Sequence, residues 1–161
     1  MNNESSLHLK QLLTGQRVLS LSVLVDGLPT IGLLPYALKP DFTAALVHAS
    51  TLARHTRGLT LGAPFSCLIH ADDDRASDPL QIPRLTLTGD VRPVETEAPD
   101  YRLLSEAYLK RLPQSEVTFS LGDFGLFELR FREGRFVEGF AAASNVTLED
   151  LQHLANSNRA K

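Results

Sequence analysis

The segment 49–64 carries the residues of this chain that are best suited to bind an anion. Ser50, or the threonine after it, can cap a short helix, and such a cap leaves first-turn amides and the positive end of the helix dipole available to a phosphate. Ser50, Arg54 and Arg57 are spaced to share one stripe of that helix, which Gly58 can terminate. The spacing therefore predicts a phosphate-binding helix. A solvated helix whose arginines face water is the competing interpretation.

A second set of polar side chains comes from a strongly alternating segment, Arg84 to Val94. Its leucines fall on one side of a predicted strand, whereas Arg84, Thr86 and the other polar residues fall on the opposite side. Flanking prolines limit the length of this strand. The pattern predicts one face in the core and one face that is open to a ligand or to solvent.

The composition excludes several classes of protein. With 161 residues, of which 43% are hydrophobic, the chain is expected to form a single domain over 1–161. The formal net charge of −3 gives no general attraction to nucleic acid or to an anionic membrane, so neither is expected as a partner. The N-terminal residues lack a signal-peptide pattern, and no apolar run is long enough for a membrane span. We therefore expect a cytoplasmic protein.

Cysteine and histidine offer little independent chemistry. Cys67 is the only cysteine, which excludes an intrachain disulfide, and its strand context favours a small buried hydrophobe over a nucleophile. His48, His55 and His70 lack the spacing of a metal site, so no metal is predicted. The sequence has neither a nucleotide-phosphate loop nor a nucleophile elbow. Redox chemistry would therefore need a cofactor.

Short strands joined mainly by hairpins dominate the rest of the chain. The hydrophobic patterns predict hairpins over 17–37 and 124–140, single strands over 42–48, 64–70 and 84–94, and helices over 5–14, 100–112 and 147–158. The first hairpin is predicted to turn at Asp26-Gly27 and the second within 132–135. Thr147 and Asp150 have the spacing of a capping box. This order favours an antiparallel barrel with appended helices over a doubly wound sheet.

Several short blocks also occur in the order and spacing of a known family between residues 15 and 155. They are Leu34-Pro35-Tyr36-Ala37, Ser50-Thr51-Leu52-Ala53-Arg54-His55-Thr56-Arg57, Asp78-Pro79-Leu80, Pro83-Arg84-Leu85-Thr86-Leu87-Thr88-Gly89, Gly122-Asp123-Phe124 and Glu138-Gly139-Phe140. On these blocks the chain resembles the pyridoxamine 5′-phosphate oxidase-like FMN-binding split barrels, and most closely their haem-utilisation branch.

The resemblance implies a mainly β (α+β) fold, a six-stranded antiparallel split β-barrel with peripheral helices, including an arm at 1–15 and a C-terminal helix at 147–158. It also implies a homodimer that binds FMN in clefts at the subunit interface. The implied function is that of an FMN-dependent oxidoreductase with an unknown substrate. The alternative is a non-catalytic protein of haem utilisation that binds haem, another tetrapyrrole or flavin. A ligand-free dimer is the third interpretation, and the presence of Arg57 and Arg84 argues against it.

The same resemblance implies a set of cofactor-binding residues, whereas catalytic residues are not identified. The set is Leu34, Pro35, Tyr36, Ser50, Arg54, His55, Thr56, Arg57, Arg84 and Thr86. It puts the FMN phosphate near the side chains of Ser50, Thr56, Arg57 and Arg84, and the flavin ring along the backbone of 33–36. The resemblance makes His55 a contact of the phosphate or the ribityl chain; a hydrogen-bonding residue on the helix surface is the alternative.

Two departures from the family pattern are visible. Gly58 stands where the family usually has asparagine, which removes one side-chain donor and is expected to weaken FMN binding. The haem-utilisation relatives often have a further C-terminal domain that contributes to haem binding, whereas this sequence stops at Lys161. Haem degradation is therefore not carried over from the resemblance.

Overall fold

The computed structural model describes residues 1–75, 77–140 and 142–157, and over these residues the chain forms seven strands and four α-helices. The strands are β1 (Val18–Val25), β2 (Leu28–Leu38), β3 (Ala44–Ser50), β4 (Pro64–His70), β5 (Arg84–Val94), β6 (Phe124–Gly139) and β7 (Ala142–Thr147). The helices are α1 (Asn3–Gly15), α2 (Tyr101–Arg111), α3 (Glu116–Phe119) and α4 (Leu148–Asn156). Residue 158, the predicted end of the last helix, lies outside the described residues.

Six of the strands close into a barrel, and the seventh extends one side of it. The order of neighbours is β3-β2-β1-β4-β5-β6, and β3 also pairs with β6, which closes the ring. β7 pairs with the second half of β6, from Glu133 to Gly139. All of these pairs are antiparallel. The predicted six-stranded antiparallel barrel with peripheral helices is confirmed.

The β1–β2 hairpin turns where the sequence predicts. Asp26 and Gly27 have φ angles of 54° and 77°, which is the left-handed backbone that both central residues of a type I′ turn require. Glycine adopts this backbone without strain, and aspartate tolerates it better than most residues. The turn sets the register in which Val25 faces Leu28.

The second predicted hairpin is wrong, because β6 continues as a strand through 132–135. β5 pairs with β6 from Val94 to Arg84, and a bulge between Thr88 and Gly89 absorbs a shift in register. The chain reverses only after Gly139. The charged side chains that resembled a turn are exposed residues of a barrel strand.

Helices α1 and α4 pack onto the barrel and complete its core. Leu9 of α1 and Leu154 of α4 belong to the same buried cluster as the inward residues of the strands. The backbone N–H of Asp150 donates to the Thr147 hydroxyl at 3.2 Å, and the Asp150 carboxylate accepts from the backbone N–H of Thr147 at 2.8 Å. The predicted capping box is therefore confirmed.

Helices α2 and α3 cover β3 with a second, smaller cluster. It contains Leu46 and Tyr108, and the His48 imidazole stacks on Phe119 with ring centroids 3.9 Å apart. Burial lowers the pKa of His48 to about 4, so this imidazole is neutral at pH 7. The sequence patterns missed α3 because four residues are too few to show a helical period. In the described part of the chain, no helix is both long enough and apolar enough to cross a membrane.

Candidate functional site

β2 and β3 pair over only a few residues, and the opening that remains between them exposes a row of backbone groups. β1 pairs with β2 from Leu28 to Pro35, whereas β3 pairs with β2 only from Tyr36 to Leu38. The N–H of Tyr36 donates to Arg17 beside β1. Because backbone groups alternate in direction along a strand, those of residues 29, 31, 33 and 35 point away from β1, toward the opening.

Two of these four positions are proline, which has no N–H, so the open edge of β2 presents the amide donors of Ile31 and Leu33. Leu34 and Tyr36 bury their side chains in the core. The Tyr36 hydroxyl donates to the backbone oxygen of Leu13 at 2.7 Å, and burial raises the pKa of this phenol. Of the predicted ring contacts, Leu33 and Pro35 therefore face the opening most directly.

The predicted α-helix at Ser50 is wrong. Ser50 is the last residue of β3 and pairs with Phe124, and the helical turn begins only at Arg54. It is a 3₁₀ turn over Arg54–Gly58, with no side-chain cap. The Ser50 hydroxyl donates to Asp123 at 2.9 Å and accepts from the N–H of Leu52 at 3.2 Å. Pairing with β6 thus outweighs the local tendency to start a helix, and the predicted polar stripe does not form.

Close approaches at two glycines seat the 3₁₀ turn on β1 and β2. A Cβ at Gly32 would lie 2.5 Å from the Nδ1 of His55, and a Cβ at Gly58 would lie 2.7 Å from the backbone oxygen of Leu24. An asparagine at position 58 would therefore collide with β1 unless the turn moved. Burial lowers the pKa of His55, which favours its neutral form at pH 7.

The 3₁₀ turn offers one free cation, one paired cation and one unpartnered hydroxyl. Arg54 is exposed and has no ion pair or hydrogen bond among the described residues. Arg57 is paired with Asp26, with its Nη2 3.1 Å from one carboxylate oxygen. The buried Oγ1 of Thr56 has no hydrogen-bond partner within the described chain, an arrangement that destabilises a protein unless a ligand or solvent satisfies it.

The other predicted residues lie on the outer face of the barrel. Arg84 donates through Nη1 to the backbone oxygens of Leu80 and Ile82, at 3.3 and 3.0 Å. Thr86 lines a shallow cavity of about 380 Å³ on β5, β6 and β7. Arg135 and Asn145 line the same cavity, joined by a hydrogen bond of 2.7 Å. The sequence prediction missed both of them because it ended the strand before Arg135 and left β7 out.

Within one chain, the structure does not bring Arg57 and Arg84 together. Arg57 is hydrogen-bonded to Asp26, in the turn after β1. Asp26 lies six residues after Ser20, which pairs with Leu68 of β4. Arg84 is level with His70, two residues beyond Leu68 in the opposite direction. Measured along the strands, Asp26 and Arg84 are therefore about eight residues apart, or roughly 25 Å.

Comparisons with known proteins bear on the fold and on the family. No family model matches the chain. It is 28% identical over 134 residues to heme oxygenase HutZ from Vibrio cholerae serotype O1, which covers 78% of this chain and 71% of that protein. A solved structure of a heme binding protein from Mycobacterium smegmatis matches with a TM-score of 0.80 and 23% identity, over 95% of this chain. This chain spans 62% of the length of that protein.

A further solved structure comes from Clostridium acetobutylicum and is described as related to general stress protein 26, of the pyridoxinephosphate oxidase family. It matches with a TM-score of 0.68 and 10% identity, over 94% of this chain and 99% of that one. Both solved structures share the barrel of this protein. The comparisons confirm the resemblance seen in the sequence: the chain is a split-barrel protein, similar to the pyridoxamine 5′-phosphate oxidase-like proteins and, among them, to those of haem utilisation.

Proposed function

We propose that the protein binds FMN at the open edge of β2 and acts as a flavoprotein oxidoreductase, with two copies of the chain contributing to each site. The observation that carries this proposal is the unpaired edge of β2 beside the 3₁₀ turn. Backbone donors at Ile31 and Leu33 lie on the edge, while the turn adds the Arg54 guanidinium and the unpartnered Thr56 hydroxyl.

These groups fit both ends of FMN. A flavin ring carries hydrogen-bonding atoms along one edge, and the amides of an unpaired strand can bind them. The phosphate end is suited to the guanidinium groups of Arg54 and Arg57 and to the Thr56 hydroxyl. The neutral His55 imidazole can hydrogen-bond to the phosphate or the ribityl chain.

When bound, FMN supplies hydride and single-electron transfer. The chain's own residues bind and orient it. The Tyr36 phenol is held by α1 through Leu13, so it is unsuited to proton transfer at this site. We therefore propose that the flavin carries out the substrate chemistry. His55, whose ring lies against Gly32 of β2, is the titratable group of the 3₁₀ turn placed beside the open edge.

Apolar exposure supports a second copy of the chain as a partner. Leu24, Ile31 and Leu33 are 52%, 73% and 68% exposed on the outer face of β1 and β2. Strand faces with this much exposed apolar surface are typical of interfaces. In a two-fold contact between outer faces, the Arg84 end of one copy would meet the Arg57 end of the other. The separation of these arginines within one chain thus favours a shared site.

Binding of haem or another tetrapyrrole is the second candidate function. It is favoured by the comparisons, because the Vibrio cholerae relative is named a heme oxygenase and the Mycobacterium smegmatis structure a heme binding protein. The exposed Ile31 and Leu33 side chains could also contact a porphyrin face.

That the chain is a single domain and that it is cytoplasmic both stay predictions.

A titration with FMN and, separately, with haemin tests the two candidates. We expect purified protein to bind FMN saturably, as measured by quenching of the flavin fluorescence, and to sediment as a dimer. A Soret band that saturates at one haemin per chain, without any FMN binding, would replace the flavin proposal with the haem one. Riboflavin serves as the matched control for the phosphate, because it keeps the ring and the ribityl chain.

A further inference from the structure

The ion pair between Arg57 and Asp26 has no part in the proposed function, yet it engages Arg57, one of the proposed phosphate contacts. The Nη2 of Arg57 donates to both carboxylate oxygens of Asp26, at 3.2 and 3.1 Å. Both side chains are mostly exposed, and exposed pairs contribute little to stability. The main consequence of the pair is therefore electrostatic, since it neutralises one of the two cations of the 3₁₀ turn.

The backbone holds the two partners in place. Asp26 has a left-handed φ of 54° in the β1–β2 turn, and Gly27 follows with a φ of 77°. Arg57 belongs to a turn that is fixed against β1 by the close approach of Gly58 to Leu24. These backbone positions bring the Asp26 carboxylate within hydrogen-bond reach of the Arg57 guanidinium.

We infer that Asp26 is a specificity-determining residue, which lowers the preference of the site for phosphorylated flavin over unphosphorylated flavin. The inference rests on the proposed function, because it takes Arg57 as a phosphate contact. A phosphate and the Asp26 carboxylate compete for the same guanidinium donors. The two anions also repel each other. Riboflavin has no phosphate and is therefore insensitive to this competition.

Arg54 sharpens the contrast within the turn. It has no carboxylate partner among the residues that the structure describes, so it can meet a phosphate without giving up an ion pair. The two arginines of one short turn thus differ in availability, and Asp26 accounts for the difference.

The test is Asp26→Asn in the full chain. Asn-Gly forms the same type I′ turn, so this variant removes the charge and keeps the hairpin. Affinities for FMN and riboflavin are measured by flavin fluorescence quenching. We expect Asp26→Asn to tighten FMN binding about fivefold and to change riboflavin binding by less than about twofold. When Arg57 is already replaced by alanine, the increase in FMN affinity caused by Asp26→Asn should be at most half as large. Added salt should reduce this increase with or without Arg57.

Each outcome is decisive. An unchanged ratio of FMN affinity to riboflavin affinity overturns the inference and leaves the flavin proposal standing. A lower melting temperature of Asp26→Asn with that unchanged ratio identifies the pair as a structural tie alone, and also overturns the inference. If neither the wild type nor Asp26→Asn binds FMN, both the proposed function and the inference fail.

Discussion

The outer face of β5 and the 3₁₀ turn would serve one ligand, yet they are built from different kinds of structure. On β5, Thr86 points outward because side chains alternate along a strand that is paired on both sides. The 3₁₀ turn is not held by strand pairing. The His55 ring packs against Gly32, and Gly58 packs against the backbone oxygen of Leu24. A Cβ at either glycine would prevent these close approaches. Strand pairing thus fixes one half of the candidate site, and tertiary contacts fix the other.

A glycine from each half makes this difference measurable, and the larger effect is expected at Gly89. A Cβ at Gly89 would lie 1.8 Å from the backbone oxygen of Arg130, and neither strand can move without breaking the barrel ladder. We expect Gly89→Ala to lower the free energy of unfolding by at least about 3 kcal/mol, as measured by chemical denaturation. Gly122→Ala is the matched control, because a Cβ there meets nothing within 4 Å. Equal stability of the two variants would contradict this account of the strand half.

The arginines test whether the two halves meet across a dimer. We expect Arg57→Ala and Arg84→Ala each to weaken FMN binding by about 1.5–3 kcal/mol, the value of a charge-assisted hydrogen bond to phosphate. Arg102→Ala, on the exposed surface of α2, is the control for a lost positive charge.

Mixed dimers give the sharper result. If each site combines the turn of one copy with Arg84 of the other, a dimer of one Arg57→Ala chain and one Arg84→Ala chain has one intact site. We expect such mixtures to recover tight FMN binding at one site per mixed dimer, measured by titration after refolding the two variants together. If each site lies within a single chain, no site in the mixture recovers, and the shared-site proposal fails.

The sequence predicted the halves unequally, for physical reasons. Alternation along β5 and the Asp26-Gly27 turn are local signals, and both were confirmed. The start of the turn was predicted wrongly because Ser50 pairs with β6, a partner more than seventy residues away along the chain. Arg135 was missed because the charged segment 132–135 resembles a turn locally, whereas pairing with β5, which lies more than forty residues earlier, keeps it in a strand. The seat of His55 on Gly32 is likewise a contact between separate elements.

Gly32 is expected to behave unlike Gly89. The atoms that a Cβ at Gly32 would meet belong to the His55 ring, which can rotate away, whereas a backbone carbonyl cannot. We expect Gly32→Ala to change the free energy of unfolding by less than about 1 kcal/mol and to weaken FMN binding about fivefold, through the lost position of His55. His55→Ala should then add little to Gly32→Ala in a double variant. Full additivity would show that Gly32 and His55 act separately.

Ser50 is the residue of the turn half at which a substitution is expected to change FMN binding least. The resemblance to split barrels predicts that its hydroxyl contacts the phosphate, a prediction that is untested. In the structure that hydroxyl donates to Asp123 and accepts from the N–H of Leu52. A hydroxyl with both of these partners stabilises the end of β3, and its loss should lower the free energy of unfolding by about 1 kcal/mol. We therefore expect Ser50→Ala to unfold at lower denaturant while keeping the wild-type ratio of FMN to riboflavin affinity. If the ratio falls instead, the Ser50 hydroxyl leaves Asp123 when the ligand binds, and the 3₁₀ turn rearranges around the phosphate rather than receiving it preformed.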